Sequence, residues 1–372
     1  CIFSRAGSSV PSSISSSERR LPSVPWLAML AAGVAIFLMG AVLLEARLEA
    51  LGYRPTALDS RQRWQQERTR AAELGEHALI LVGASRFQLG IDLDVLRRET
   101  GLEPVQLALD GSAGEPVLAG LADDPRVRGT ILFDYYDHAV GARGGVAEEM
   151  EQAYGRGISY PDLWRQPAAF IEGRLTTWAH ERLRAYADGA DPLTSLHRRA
   201  LPAVPARQYL ITRPDRSRLA DYTLVDMREF YYRRVARTLG EDVDVRSPHA
   251  RSDLAHRISR LMPAEDTGFA EAARRVGGDV ARIRARGGRV IFVAMPSSGM
   301  VREIEMRRYP RERFWTRFLM EVGAPGIHAA QEGPLGEHAC PDGSHLDLRE
   351  RGPFTRSLAA ILRQRGLLPS GS

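Results

Sequence analysis

An uninterrupted apolar stretch near the start of the chain is the feature that most constrains how this sequence can fold. From Val24 to Leu44 it reads VPWLAMLAAGVAIFLMGAVLL, without one charged side chain. About 20 apolar residues at ~1.5 Å each cross the ~30 Å hydrocarbon core of a bilayer as a helix. A helix on the core of a soluble protein normally keeps a polar face, which this stretch lacks. Residues 21–45 are therefore predicted to form a transmembrane anchor.

A cleavable signal peptide is the alternative interpretation of the same stretch. Signal peptides have a shorter apolar region followed by small residues at the cleavage site, and Glu45-Ala46-Arg47-Leu48 does not fit that pattern. These criteria favour an uncleaved anchor. A chain that begins with Cys1 also allows a lipoprotein interpretation, but a lipidated protein would not need a second anchor.

The flanks of the stretch give the expected orientation. Arginines lie on both sides of it, so the distribution of positive charge is nearly balanced. Residues 1–20 are rich in serine and are predicted to be a disordered tail unsuited to translocation. We therefore expect a single-pass protein of the inner (cytoplasmic) membrane, with its large domain on the extracytoplasmic, periplasmic side.

Composition excludes several classes of partner and cofactor. The formal charge of +5 comes from arginines scattered among nearly as many acids, whereas a nucleic-acid-binding protein gathers basic residues into a patch. We predict no nucleic-acid partner. The two cysteines, Cys1 and Cys340, form no metal-binding motif, and His328 and His338 lack metal-ligand spacing. No metal and no cofactor are predicted.

The remainder of the chain alternates short apolar runs with helical patterns, which predicts an α/β fold with a parallel sheet. Residues 46–76 are predicted to be a juxtamembrane helix or stalk, and residues 77–366 one domain with a helical insertion at about 145–265. The predicted strands are residues 77–82, 105–109, 129–133 and 289–294, with a weaker one near 326–328. Helices are predicted over residues 269–286 and 353–365.

Ser85 follows the first predicted strand, in Gly83-Ala84-Ser85-Arg86. Ligands of doubly wound sheets bind at the carboxyl ends of the strands, so a nucleophile would be well placed here. A serine at such a turn is also an ordinary helix cap, and alone it favours that interpretation. Ser298, after a later strand, lacks the spacing of a nucleophile elbow and is interpreted as turn chemistry.

The other end of the chain supplies the groups that a serine nucleophile needs. Asp342-Gly343-Ser344-His345 precedes the last predicted helix. A histidine must accept the proton of the serine hydroxyl, and a carboxylate must orient that histidine. Asp342 and His345, three residues apart across a Gly-Ser turn, can form this pair. A surface turn with a structural histidine is the alternative.

Polar residues also follow the second and third predicted strands. Asp110-Gly111 offers a glycine N–H that can face a developing oxyanion. Asp134, Tyr136 and Asp137 follow the third strand. Because carboxyl ends of parallel strands meet at one edge, these groups are expected to share a site with the serine.

The blocks Gly83-Ala84-Ser85-Arg86, Leu109-Asp110-Gly111 and Asp342-Gly343-Ser344-His345-Leu346 resemble, in order, those of the SGNH (GDSL-like) hydrolases. The chain is similar to the membrane-anchored envelope branch of that superfamily, which includes alginate O-acetylation proteins and the teichoic-acid D-alanyl transfer protein. The resemblance covers roughly residues 77–365. It implies a doubly wound, flavodoxin-like sheet.

The resemblance also implies roles for individual residues. Ser85 is the nucleophile, His345 the base and then the acid, and Asp342 the group that orients the histidine. The N–H groups of Ser85 and Gly111 form the oxyanion hole. The Gly-x-Asn-Asp block of the family is absent, and Asp134, Tyr136 or Asp137 occupies the comparable region. The candidate substrate-binding residues are these three and Arg86.

Two functions follow as hypotheses. The first is a serine-dependent esterase or O-acyltransferase that acts on an extracytoplasmic cell-envelope glycan, with an acylated glycan or acyl donor as partner and a multipass membrane O-acyltransferase as an acyl source. The second is a catalytically inactive SGNH-like protein that binds glycan or scaffolds an envelope complex. Loss of one oxyanion-hole donor typically costs about 10²–10³ in rate, which favours transfer to a particular acceptor, or lost activity, over efficient hydrolysis.

Overall fold

A computed structural model describes residues 25–142, 144–157, 167–190 and 208–369 of the chain. The chain divides into two units between Arg47 and Leu48. The predicted disordered tail, residues 1–20, lies outside the described residues.

The apolar stretch forms helix α1, Trp26–Ala50. Its apolar side chains are almost all exposed among the described residues, including Leu27 and Phe37. The helix is long and apolar enough to cross a membrane, and it lies near the N-terminus. These properties fit either a single-pass anchor or a signal sequence.

The second unit is built on a five-stranded parallel sheet, which confirms the α/β class. The five strands are β1 (Ala78–Val82), β2 (Glu103–Gln106), β3 (Thr130–Tyr135), β6 (Arg289–Ala294) and β7 (Gly326–His328). Their order in the sheet is β2-β1-β3-β6-β7, so the order of the chain reverses between β1 and β3. The weak pattern near residue 326 is thus a strand at one edge.

Nearly every side chain of the sheet is buried, which explains why its strands are continuous apolar runs in the sequence. Alternate residues enter two separate cores. Ile80 and Phe292 point to one face, while Leu81 and Ile291 point to the other. Helices therefore cover both faces of the sheet.

Helices on the first face are α2 (Arg61–Glu73), α5 (Glu115–Asp123), α10 (Phe269–Ala285) and α12 (Arg317–Val322). Helices on the second face are α3 (Ser85–Gly90), α4 (Leu93–Thr100) and α14 (Arg351–Gln364). Short helix α13 (Gly333–Gly336) precedes the loop that carries Asp342 and His345.

Helix α2 occupies part of the segment interpreted from the sequence as a juxtamembrane helix or stalk. It begins after Ser60, whose hydroxyl accepts the Arg63 N–H, and it packs on β1 and β2. Its fully buried Trp64 donates a 3.0 Å hydrogen bond from Nε1 to the carbonyl of Leu107. Residues 61–73 are therefore an integral layer of the α/β unit.

The region predicted as a helical insertion is only partly helical. Its described helices are α6 (Gly145–Gly155), α7 (Pro167–Arg182), α8 (Met227–Leu239) and α9 (Ala250–Ser259), but a two-stranded antiparallel hairpin, β4 (Leu210–Thr212) and β5 (Arg218–Ala220), lies between α7 and α8. Three-residue strands are too short for a clear alternating pattern, which is why the sequence did not reveal them. Helices α8 and α9 pack on α11 (Gly299–Arg308).

Candidate active site

Ser85 lies in a sharp turn that only glycine permits. β1 ends at Val82, Gly83 has φ +149°, and Ser85 begins α3. A Cβ on Gly83 would lie 2.3 Å from the Cβ of Asp134 on the neighbouring strand, inside any van der Waals contact distance. The glycine therefore lets β1 and β3 approach closely at their carboxyl ends. This turn holds the Ser85 hydroxyl above the point where the strand order reverses.

Asp342 and His345 are held in a compact turn after α13. Asp342 Oδ1 accepts the backbone N–H groups of Ser344, at 2.9 Å, and His345, at 2.7 Å. Gly343 allows this turn with φ +89°, and a Cβ there would lie 2.5 Å from a methyl of Val301. The remaining carboxylate oxygen, Oδ2, is left to face the imidazole.

The structure brings the serine, histidine and aspartate into one hydrogen-bonded chain. Ser85 Oγ lies 2.9 Å from His345 Nε2, and His345 Nδ1 lies 2.8 Å from Asp342 Oδ2. Asp342 and His345 are buried, whereas Ser85 is partly exposed. His345, near one end of the domain, thus meets a serine 260 positions away in the sequence. The arrangement permits proton transfer from serine to imidazole.

The electrostatics favour an ionised Asp342. Burial alone would raise its pKa, but the hydrogen bond and charge of His345, the charge of Arg234 and the N–H of Ser344 together lower it to about 2. A carboxylate that stays charged fixes the proton of the imidazole on Nδ1. Nε2 is then free to accept a proton from the serine hydroxyl.

Arg234 is a contact of this group that sequence reasoning missed. It extends from α8, and its Nη2 lies 3.3 Å from Asp342 Oδ2 and 3.4 Å from His345 Nδ1. With the Nδ1 proton donated to Asp342, the guanidinium serves as a second donor to that carboxylate. The sequence between 207 and 234 mixes aromatic residues with arginines, a pattern that fits a helical cap as well as a sugar-binding surface, so it does not single out Arg234.

The loop after β2 lies beside the nucleophile. Gly114 approaches so closely that a Cβ there would lie 3.2 Å from Gly83 Cα. Neither the Ser85 N–H nor the Gly111 N–H donates a hydrogen bond to another group in the part of the chain that the structure describes, and both residues line one cavity. Asp110 carries a negative charge beside Ser85. Burial opposes this charge, but the 2.6 Å ion pair with Arg218, the charge of His345 and the hydroxyl of Ser85 together lower the pKa of Asp110.

Three candidate substrate-binding residues form a cluster under the nucleophile turn. Arg86 is buried, donates to Asp134 Oδ1 at 2.9 Å and to the carbonyl of Tyr135 at 2.6 Å, and lies over the ring of Tyr136 at 4.1 Å. Burial disfavours its charge, but the nearby carboxylates raise the pKa of Arg86. Arg86 and Asp134 satisfy each other, so the geometry gives them a supporting role. All three residues line the cavity around Ser85.

Asp137 lies apart from this cluster. It accepts a 2.8 Å hydrogen bond from the hydroxyl of Tyr135 and is not among the residues that line the cavity around Ser85. Burial raises the pKa of Asp137 to about 6. The structure thus separates Asp137 from the other three candidate substrate-binding residues.

A cavity of about 890 Å³ opens over Ser85 and His345. Its floor is the carboxyl edge of the sheet, and α8 and α11 provide much of one wall. Its volume is that of a site for a ligand of several hundred daltons. Its wall also carries aromatic and charged side chains: Tyr136, Tyr209, Phe230, Arg233, Arg237, Glu305 and Arg308.

The described residues contain no group of three or more histidine, cysteine, aspartate or glutamate side chains arranged to hold a metal ion. Cys340 is buried, carries a free thiol, and donates its backbone N–H to Ser298 Oγ at 2.9 Å. Ser298 therefore supports the loop that carries Asp342 and His345. Cys1 lies outside the described residues.

Comparison with known proteins adds no identification. No protein-family model and no curated protein sequence matches this chain.

Proposed function

We propose that this protein is a serine-dependent esterase or O-acyltransferase of the SGNH type. The observation that carries the proposal is the chain Ser85 Oγ–His345 Nε2 and His345 Nδ1–Asp342 Oδ2, with separations of 2.9 and 2.8 Å. Nucleophile, base and orienting carboxylate within hydrogen-bond reach of one another are the geometric signature of such catalysis. The proposed fold is the doubly wound sheet of that superfamily, supported by the reversal of strand order next to Ser85.

The proposed reaction has two steps. His345 Nε2 takes the proton of Ser85 as Oγ attacks the carbonyl carbon of an ester, and the tetrahedral intermediate collapses when the histidine returns that proton to the leaving alkoxide. An acyl-Ser85 ester and an alcohol result. In the second step, His345 deprotonates a hydroxyl of the acceptor, which attacks the acyl-enzyme, and the proton returns to Ser85. Water as acceptor gives hydrolysis, and a sugar hydroxyl gives transfer.

The oxyanion of each tetrahedral intermediate needs donors that are not already engaged. The N–H groups of Ser85 and Gly111 meet that requirement within the described residues, and both belong to residues that line the cavity. The family's asparagine has no counterpart, because the sequence contains no asparagine. Asp134, in the comparable region, is bonded to Arg86. With only two donors in the oxyanion hole, we expect slow hydrolysis of simple esters. We propose that transfer to a bound acceptor is the main reaction.

The proposed substrate is an acylated glycan of the cell envelope. An 890 Å³ cavity lined by Tyr209, Phe230 and several arginines offers aromatic faces and hydrogen-bond donors that suit a sugar. The apolar helix α1 supports a location at the membrane. We propose that the catalytic unit lies on the extracytoplasmic side. A membrane protein that delivers acyl groups would be its natural partner.

The test is acetyl release from p-nitrophenyl acetate by the purified full chain, with and without a glycan acceptor. We expect Ser85→Ala and His345→Ala each to abolish release, and a suitable acceptor to accelerate it. Ser252→Ala, on the exposed surface of α9, is the matched serine control and should behave as the parent. A folded parent that neither hydrolyses the ester nor acylates any acceptor would instead support an inactive glycan-binding protein.

A further inference from the structure

The hydroxyl of Ser85 has a second hydrogen-bond acceptor besides the imidazole of His345. Its oxygen lies 2.9 Å from His345 Nε2, and the hydroxyl also reaches the carboxylate of Asp110. A serine hydroxyl has one proton, so it donates to only one of these two groups at a time. Both steps of the proposed reaction use His345 as the proton acceptor, and they give Asp110 no role.

The hairpin of β4 and β5 holds Asp110 in this position. Arg218, the first residue of β5, forms a 2.6 Å ion pair from its Nη1 to Asp110 Oδ2. The side chain of Arg218 is only 16% exposed, whereas that of Asp110 is 57% exposed and lines the cavity over Ser85. The buried guanidinium therefore fixes the carboxylate and balances its charge beside the oxyanion hole, while the carboxylate stays accessible to a ligand.

The carboxylate of Asp110 has acceptor sites to spare. Two carboxylate oxygens provide about four such sites, of which the Arg218 guanidinium and the Ser85 hydroxyl each take one. Acylation replaces the proton of the Ser85 hydroxyl by the acyl group, so the site that this proton occupied becomes free as well. The acyl-enzyme thus presents a charged acceptor close to the ester oxygen of Ser85.

This position matches the second hydroxyl of an alcohol that carries two neighbouring hydroxyls. The attacking hydroxyl must contact His345 Nε2, the atom that faces the Ser85 hydroxyl in the free protein. Asp110 lies within hydrogen-bond reach of that same serine, so a hydroxyl on the adjacent carbon of the acceptor can donate to it. Tyr209, which precedes β4, lines the same cavity and offers an aromatic face to the carbon skeleton of the acceptor.

We propose that Asp110 selects the acyl acceptor by binding the hydroxyl next to the one that attacks acyl-Ser85. The acceptor class is an alcohol with hydroxyls on adjacent carbons, such as an unmodified sugar ring. The attacking hydroxyl gives its proton to His345 Nε2 as its oxygen bonds to the acyl carbon. The bond from that carbon to Ser85 Oγ then breaks, and the proton passes to Oγ. Asp110 gains no proton and accepts one hydrogen bond. The inference rests on the proposed acyl-Ser85 chemistry.

The test measures how the acyl-enzyme partitions between water and two small diols. The purified full chain receives p-nitrophenyl acetate with either propane-1,2-diol or propane-1,3-diol, which have the same formula and differ in the spacing of their hydroxyls. Gas chromatography of the monoacetates and of acetate gives the ratio of transfer to hydrolysis for each diol. The preference between diols is divided by that of transfer catalysed by free imidazole, which removes their intrinsic difference in reactivity.

The variant is Asp110→Asn, and Asp94→Asn is its matched control. Asp94 also pairs with an arginine of the hairpin, since Arg213 Nη2 lies 3.0 Å from its Oδ2, and its side chain is 44% exposed. Asp94 is not among the described residues that line the cavity. Both substitutions therefore weaken one ion pair to the hairpin, and only one of them changes the site.

We expect the parent to favour propane-1,2-diol by about tenfold, the size of one hydrogen bond to a charged group. In Asp110→Asn the amide oxygen must stay with Arg218, because a guanidinium only donates, so an NH₂ group replaces the free acceptor. The preference should then fall below about twofold, while Asp94→Asn keeps it. Each preference compares two products of the same folded enzyme, so partial unfolding of a variant does not change it.

Equal use of the two diols by the parent overturns the proposal, and so does a preference that survives in Asp110→Asn. A role confined to holding the Ser85 hydroxyl would lower acylation and both transfer rates together, without changing the preference. The proposed function fails separately. A parent that forms no acetyl-Ser85 by mass spectrometry overturns that function and this inference with it, whereas a parent that forms acetyl-Ser85 and does not distinguish the diols overturns this inference alone.

Discussion

Replacement of Asp342 by asparagine is the perturbation whose outcome the geometry determines most fully. Oδ1 of Asp342 accepts two backbone N–H groups, so the asparagine must keep its oxygen at that position. Its NH₂ group then takes the place of Oδ2, facing His345 Nδ1 across 2.8 Å. An NH₂ donor stabilises an unprotonated Nδ1, which puts the imidazole proton on Nε2. His345 could then no longer accept the proton of Ser85.

The expected loss of activity is large. The same substitution in a Ser-His-Asp triad lowers kcat by about 10⁴, which is about 5.5 kcal/mol of transition-state stabilisation at 1.36 kcal/mol per decade. We expect a loss of about 10³–10⁴-fold in ester hydrolysis or in the rate of serine acylation. Stopped-flow or long-time-course release of p-nitrophenol measures it.

The variant should also lose stability in a pH-dependent manner. Folding lowers the pKa of Asp342 from 3.8 to about 2. At 1.36 kcal/mol per pKa unit, this shift contributes roughly 2 kcal/mol to the free energy of unfolding. Because this pKa is lowered, the stabilisation is present above about pH 4 and is lost as the pH falls through 2. Denaturant unfolding should therefore show a deficit for the variant at pH 7 that shrinks towards pH 2.

The matched control is Asp347→Asn, which makes the same chemical change in the same loop. Asp347 is also buried, but its carboxylate accepts the Tyr222 N–H and pairs with Arg349, away from the imidazole. This control should retain activity within a few-fold. If Asp342→Asn keeps more than about a tenth of the parental rate while folded, the proposed tautomer control is incorrect.

Three further substitutions test other parts of the structure. Gly83→Ala should destabilise the fold by roughly 2–5 kcal/mol in denaturant unfolding, because its Cβ would meet Asp134 at 2.3 Å and φ is +149°. Asp137→Asn should stabilise the protein by about 1–3 kcal/mol at pH 8 and by little below pH 4, because burial raises the pKa of Asp137 to about 6 and its charge is a cost above that pH. Arg234→Gln should lower stability at pH 7 by about 1 kcal/mol and ester hydrolysis by less than 10²-fold, because Asp342 keeps its other donors.

These substitutions have their own controls and contrary outcomes. Gly278→Ala in the middle of α10, where a Cβ meets nothing within 4 Å, should stabilise by about 0.5–1 kcal/mol, so a neutral Gly83→Ala would contradict the close approach of β1 and β3. A constant effect of Asp137→Asn between pH 4 and 8 would contradict its raised pKa. Complete inactivity of folded Arg234→Gln would show that this arginine does more than support Asp342.

The central sheet could be predicted because its signals are local. Strands such as Ile80-Leu81-Val82 and Val290-Ile291-Phe292 are buried on both faces, so the sequence is apolar without alternation. The second strand begins two residues earlier than predicted, at Glu103, because the polar Glu103 and the proline after it look like a turn. The N–H groups of Leu107 and Leu109 nevertheless donate to the carbonyls of Leu81 in β1 and Gly83 just after it, and so continue the ladder through the predicted run.

The candidate site was only partly predictable, for a related reason. Asp342 and His345 share a turn, and Ser85 ends a strand, so motif and position suffice to expect them together. Arg234 joins them from a helix in the inserted region, and no local pattern reveals which face of α8 reaches the site. The mutual pairing of Arg86 and Asp134 likewise depends on helix α3 and strand β3, which meet through the close approach of β1 and β3.

Labelling with a fluorophosphonate tests the central claim most directly, because such probes react with an activated serine and leave an adduct that peptide mapping can locate. The full chain should acquire one adduct, on Ser85, and Ser85→Ala should acquire none. Ser298→Ala should still be labelled at Ser85, since the Ser298 hydroxyl accepts a backbone N–H rather than facing a base. A folded chain that takes up no probe, or takes it up on another serine, would contradict the assignment of Ser85 as the nucleophile.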